Sequence, residues 1–294
     1  MSTLSPDENN ANGMHDVGGT LCRTGCLVST PKAMSEAYAN NKEYPEDQIW
    51  DSKQIQKALP DGEYLRHRQA RKEYVINQER LGKCCPSAGK GAIHQRRADQ
   101  GLPFVEMSDC WAYTKINGGG DNGAALADLA ELMKTGYSPK NLESNGKKLV
   151  YPEDVYRQNQ VSSEMFQAAN RESADYKAGE IYAVPKEWDK FVPVVATACA
   201  RKFPIIIAWH VGGTTLRNGY IQQGRGMGNH ANFIHCGKFV GGKDIVHPDD
   251  QNSWGAAFGE DGFGLFTMES LFQCTPYHFF FILASFDVAE GKEW

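Results

Sequence analysis

Gln78, Cys84, His230 and Asn252 constrain this chain more than any other feature, because residues from its first third and its last third must meet before their chemistry can combine. Asn77-Gln78 leads into Cys84, six positions after Gln78, within Asn-Gln-Glu-Arg-Leu-Gly-Lys-Cys, and His230-Ala231 stands twenty-two positions before Asn252-Ser253-Trp254-Gly255. These are the residue types that thiol acyl transfer uses. A free thiol is only a few per cent ionised at neutral pH, so a cysteine nucleophile needs a positive helix end and a nearby imidazolium to hold the thiolate. Cys84 at the start of a helix supplies the first and His230 the second, with the imidazole returning its proton to the leaving amine. Asn252 would accept from the other ring nitrogen and fix the tautomer, and Trp254 would keep water from that bond. The side-chain amide of Gln78 and the backbone N–H of Cys84 are the natural donors to an oxyanion.

Local patterning gives the two ends different characters. Leu126, Leu129, Ala130 and Met133 recur at helical spacing in a segment running from Asp121 or Asn122 to Lys134, and a second helix starts at Cys84. Pro86 is tolerated in that helix's first turn. Gly89 and Gly91 each cost about 1 kcal/mol there relative to alanine, which predicts close packing against a neighbour. Val192-Pro-Val-Val-Ala, Pro204-Ile-Ile-Ile-Ala-Trp, Ala231-Asn-Phe-Ile and Phe279-Phe-Phe-Ile-Leu read as strands between glycine-rich turns. A helical half before a strand-rich half predicts an α+β architecture of two lobes with a cleft between them.

Several segments carry a resemblance to the papain-like (C1-type) cysteine peptidases. Tyr64-Leu-Arg-His-Arg-Gln-Ala and Tyr74-Val-Ile-Asn-Gln look like the family's strand into its oxyanion glutamine. Phe104-Val-Glu-Met-Ser-Asp-Cys110 is similar to its "L-S-E-Q-x-L-x-D-C" stretch, and Asn117-Gly118-Gly119 followed by Ala124 to its glycine-rich substrate loop. Later, Phe203-Pro-Ile-Ile-Ile-Ala-Trp, Gly228-Asn-His-Ala and Phe258-Gly-Glu-Asp-Gly-Phe-Gly resemble its "G-P-V-x-V-A-I" strand, its histidine strand and the segment after its asparagine. The match runs from about residue 62 to 270, with an unmatched stretch at 138–190. It implies a helical N-terminal lobe, an antiparallel β C-terminal lobe, and a thiol hydrolase cleaving peptide or amide bonds through a thioester. Catalysis would fall to Cys84, His230, Asn252 and Gln78, and substrate binding to Gly118, Gly119 and Trp254.

Two departures qualify it. Cys85-Pro86 stands where the family has a tryptophan after the nucleophile, which raises a second reading: a catalytically inactive module of the same fold. Cys110-Trp111-Ala112-Tyr113 also looks like a nucleophile block, but six residues before Cys110 lies Phe104, which cannot donate to an oxyanion, whereas Gln78 precedes Cys84.

The remaining composition mainly excludes. A net charge of -5 with a pI near 5.9 gives no footprint for nucleic acid. The polar first twenty residues are no signal peptide, and the longest apolar run, Phe279–Ala284, is too short to cross a bilayer, so reduced thiols and a cytoplasmic or assembly-bound setting such as a virion are expected. Cys22-x-x-x-Cys26 lacks a second pair with zinc-ligand spacing, so neither metal nor cofactor is implied. The expected partner is a peptide or protein substrate. Residues 1–60 read as an arm or leader, a clamp or docking element, with an unstructured stretch to about 18 and short helices at Lys32–Ala39 and Gln54–Leu59. Residues 61–294 read as the enzyme domain: a helical lobe over about 61–190, including an insertion at 138–190 with a surface helix within Gln158–Lys177, and a β lobe over about 191–294.

Overall fold

The computed structural model describes residues 14–17, 20–28, 30–211, 215–222, 229–275 and 278–288. Residues 1–13 of the expected arm, and Gly228, lie outside them. The chain opens with β1 (Met14–Val17), β2 (Thr20–Arg23), α1 (Pro31–Asn40), β3 (Lys42–Glu43), α2 (Ser52–Ala58) and α3 (Glu63–Arg71). There follow α4 (Cys84–Asp99), α5 (Asp109–Ile116), α6 (Leu126–Thr135), β4 (Asn141–Ser144), β5 (Lys147–Val150), α7 (Ser163–Ser173), β6 (Tyr176–Ala183) and α8 (Trp188–Ala200). The last part holds β7 (Ile205–His210), β8 (Thr215–Arg217), β9 (Tyr220–Gln222), β10 (Asn229–Gly241), β11 (Ile245–Gln251), β12 (Phe263–Leu265), α9 (Met268–Phe272) and β13 (Phe281–Val288). Among the described residues no helix is long and apolar enough to cross a membrane.

The architecture is α+β, and α4 is its pivot. One flank of α4 meets α5 and α6, while another lies on β10. A Cβ on Gly91 would come within 2.4 Å of the Phe233 ring of β10, so the helix–sheet contact requires glycine there. The main sheet runs β3-β6-β13-β7-β10-β11-β12-β9-β8 among the described residues, with β10 antiparallel to both β7 and β11. The helix that begins at Cys84 thus docks directly on the strand that carries His230.

Four expectations need correcting. Val192-Pro-Val-Val-Ala lies in α8, not a strand: Phe191, Val192, Val194, Val195, Ala196 and Ala198 are all buried, and a helix apolar on most sides has no alternation to distinguish it from a buried strand. Tyr64–Ala70 lies in α3, held by an Arg66–Glu63 pair at 2.7 Å and by Arg68, whose guanidinium binds Asp249 of β11 at 2.7 and 2.5 Å. Residues 14–17 of the arm pair with 20–23 as a hairpin. The helix expected from Asp121 starts at Leu126, because the Asp121 carboxylate is engaged by Tyr113 and Gly82, and Gly123 takes a φ of 98°. Within the stretch 138–190, α7 is the surface helix, and β6 beyond it joins the main sheet.

Candidate active site

Cys84 is the first residue of α4, where unpaired backbone N–H groups and the helix dipole favour a negative charge. Its side chain is 0% exposed. Burial pushes the thiol up, but hydrogen bonds from Cys85 and His230, the His230 charge and the Ala231 backbone outweigh it and hold the thiol well below its ordinary value. His230 comes from β10, opposite Trp209 of β7. Its Nε2 lies 3.0 Å from Asn252 Oδ1, and that oxygen also accepts from the Trp254 backbone N–H at 3.1 Å. An oxygen acceptor at Nε2 puts the proton on that nitrogen and leaves Nδ1, which has no other partner, to the thiol. Trp254 stacks on the imidazole at 4.0 Å and 22°, with Trp209 edge-on at 6.1 Å.

Gln78 is tied to the same loop. Its backbone N–H donates to Ser253 O at 2.8 Å, the Ser253 hydroxyl donates to its Oε1 at 2.6 Å, and Asn77 bridges to Trp254. The two segments, 175 residues apart, are one hydrogen-bonded unit. With Oε1 occupied, Gln78 Nε2 is left as the donor end of the amide, the group an oxyanion site requires.

That donor is already occupied. Gln78 Nε2 donates to Arg23 O at 2.7 Å and to Leu81 O at 3.2 Å. From Arg23 the chain runs across the site. Ala124 N donates to Gly25 O at 2.8 Å, Cys26 N to Asn229 O at 3.2 Å, and Leu27 N to Ala124 O at 2.9 Å. Asn229 adjoins His230, so residues 23–27 span from the α4 side to the β10 side directly over the thiol. Arg23 also pairs with Asp121. A Cβ on Gly25 would fall 2.0 Å from Gly82 O, so backbone meets backbone there. The burial of Cys84 is explained by this segment together with α4's own neighbours.

No family model and no curated protein matches the sequence. Among solved structures, xylellain, a cysteine protease from Xylella fastidiosa, is similar at 18% identity and a TM-score of 0.55, over 89% of this chain and 96% of that one. The procathepsin B S9 of Trypanosoma congolense is similar at 13% identity and 0.54, over 88% and 84%. A clostridial cysteine protease, Cwp84, is similar at 13% and 0.54, over 74% and 55%. The chain has the papain-like fold.

Within this papain-like frame the structure brings Cys84, His230, Asn252, Gln78 and Trp254 together. Gly118 and Gly119 form a turn closed by Asn117 Oδ1 and Arg157, with nothing within 4 Å of a Cβ built on either. The backbone that faces the segment belongs to Ala124, beside Gly123, where a Cβ would meet Gly25 O at 2.2 Å. Sequence reasoning missed Arg23–Leu27, because backbone-to-backbone contacts leave no side-chain signature. Cys85 donates to Ala124 O at 2.9 Å, and burial holds its thiol well above the ordinary value. Cys110 lies away from the imidazole, against Glu153 O at 2.9 Å and Lys83 Nζ at 3.4 Å, with its thiol pushed up to about 12 by burial and by Asp109.

Proposed function

We propose that this chain is a thiol hydrolase of peptide or amide bonds, held in a blocked form by its own residues 23–27. The observation that carries the reading is the Cys84–His230–Asn252 series, in which a depressed thiol faces an imidazole fixed by an amide. Cys84 Sγ would attack the carbonyl carbon as the oxygen gains charge between Gln78 Nε2 and the Cys84 N–H. His230 would then protonate the leaving amine, and water activated by the same imidazole would release the thioester. Trp254 and Trp209 exclude bulk water from the His230–Asn252 bond, strengthening it. Ala124 and Asn229 offer main-chain partners of the kind an extended peptide needs, which favours a polypeptide substrate recognised mainly through its backbone.

The inactive-module reading has one observation in its favour, the complete burial of Cys84 beneath the segment. A thiol-directed electrophile separates the two. The hydrolase reading expects Cys84 to label first among the cysteines, and labelling to vanish in His230→Ala. Slow, equal labelling of several cysteines, indifferent to His230, would leave only the scaffold.

A further inference from the structure

Behind the His230–Asn252 contact lies a second polar rung. Alternate residues of a strand share a side, so His230 and Asn232 leave β10 on one face, and Asp250 and Asn252 leave β11 and its continuation on one face. Because Phe233 pairs with Gln251, His230–Asn252 and Asn232–Asp250 are equivalent diagonals of one antiparallel ladder. Asn232 Nδ2 donates to Asp250 Oδ2 at 2.8 Å. All four side chains are buried. Among the described residues Asp250 Oδ1 and Asn252 Nδ2 are buried polar atoms left without a hydrogen-bond partner, and the Asn252 amide favours the Asp250 carboxylate.

An amide has two ends of nearly equal size and opposite polarity. Asn252 acts on His230 only if Oδ1 faces Nε2, since the reversed amide would set donor against donor. The Trp254 N–H holds one end of that choice. We propose that Asp250 holds the other: it is a positioning residue that takes the Asn252 Nδ2 hydrogen bond and thereby fixes the orientation of the His230–Asn252 pair. This rests on the reading of Cys84 and His230 given above. The charged groups facing Asp250 are Asp249, its neighbour in β11, and Arg68 of α3. Burial holds its carboxyl well above the usual carboxylate range, with the Asn232 bond, Arg68 and Asn252 pulling the other way. The role asked of Asp250 is that of a hydrogen-bond acceptor, so an amide in its place should serve. Asn232 could turn its unpartnered Oδ1 to meet that amide.

The test is the pH dependence of iodoacetamide alkylation at Cys84 in the full chain, read by mass spectrometry of the Cys84 peptide. Asp250→Leu should move the acidic inflection of Cys84 up toward that of an ordinary thiol and lower the rate near pH 6 about tenfold, as expected when a catalytic group loses its alignment. Asp250→Asn should recover the wild-type profile. Asn232→Val with Asp250→Leu removes both partners of the rung and so leaves no orphaned polar group to unfold the site; it should behave like Asp250→Leu. A folded double variant with the wild-type profile, or an Asp250→Asn variant that loses it, overturns the assignment of Asp250. A wild-type protein with no acidic inflection at Cys84 removes the catalytic reading itself, and the Asp250 role with it.

Discussion

Cys84 and Cys110 are the same side chain in nearly the same local setting, and they end as opposites. Both lie in the first turn of a helix, α4 or α5, and both are fully buried. Cys84 meets His230 and is pulled well down, whereas Cys110 meets Asp109 and is pushed up to about 12. Lys83 lies against Cys110 yet does not reverse the shift, because Asp109 takes much of its charge at 3.3 Å. Neither a helix end nor burial therefore sets which way a thiol shifts. The side chains that meet the sulfur do.

The contrast should be plainest in a pH series. A depressed thiol is ionised above its lowered value and loses reactivity only as pH falls through it. A thiol at about 12 instead gains thiolate about tenfold per pH unit throughout the neutral range. Between roughly pH 6 and 8, alkylation of Cys84 should rise less steeply than that of Cys110, which in the folded protein climbs about a hundredfold from a very low base. Parallel curves would erase the distinction.

Gln78→Ala, made in a Gly25→Ala background to open the site, should lower turnover of dye-labelled casein about 10²- to 10³-fold, the usual cost of one oxyanion donor. Turnover insensitive to Gln78 would place the oxyanion elsewhere. Gly25→Ala alone puts a methyl 2.0 Å from Gly82 O, an overpacking of about 1 to 3 kcal/mol that should displace residues 23–27 and raise Cys84 alkylation roughly tenfold or more. If reactivity falls instead, the segment supports the thiol rather than covering it.

Asp109→Asn should bring Cys110 down from about 12, seen as faster alkylation at alkaline pH. The same variant strands Lys83 and should cost on the order of 3 kcal/mol in urea unfolding. Cys110→Ser is the smallest change expected, leaving Cys84 alkylation within about twofold, as for sites that share no partner. A large loss there would tie Cys110 to the chemistry.

Much of the fold was legible where one pattern dominates. The amphipathic spacing of Leu126, Leu129, Ala130 and Met133 marks α6, and the apolar run after Pro204 marks β7. Reading failed at α8, where burial on most sides removes periodicity, and at α3, whose buried arginines look solvated in sequence but meet Asp249 and Gln251 of β11. In the candidate site, Gln78, Cys84, His230 and Asn252 were visible because their chemistry needs specific side chains at set spacings. Asp250 was not visible in the same way: it is buried on the ladder, and nothing in Asp249-Asp250 reveals which strand it faces.

By itself the sequence determined which groups are available for thiol chemistry and which stretches must be helix or strand, since both follow from side-chain type and short-range spacing. Only the tertiary structure decided which cysteine meets an imidazole, that the backbone of Ala124 pairs with Gly25 and Leu27, and that residues 23–27 lie over the thiol. Those outcomes depend on long-range contacts, many of them between backbone atoms common to every residue, and such contacts leave no mark in the order of amino acids.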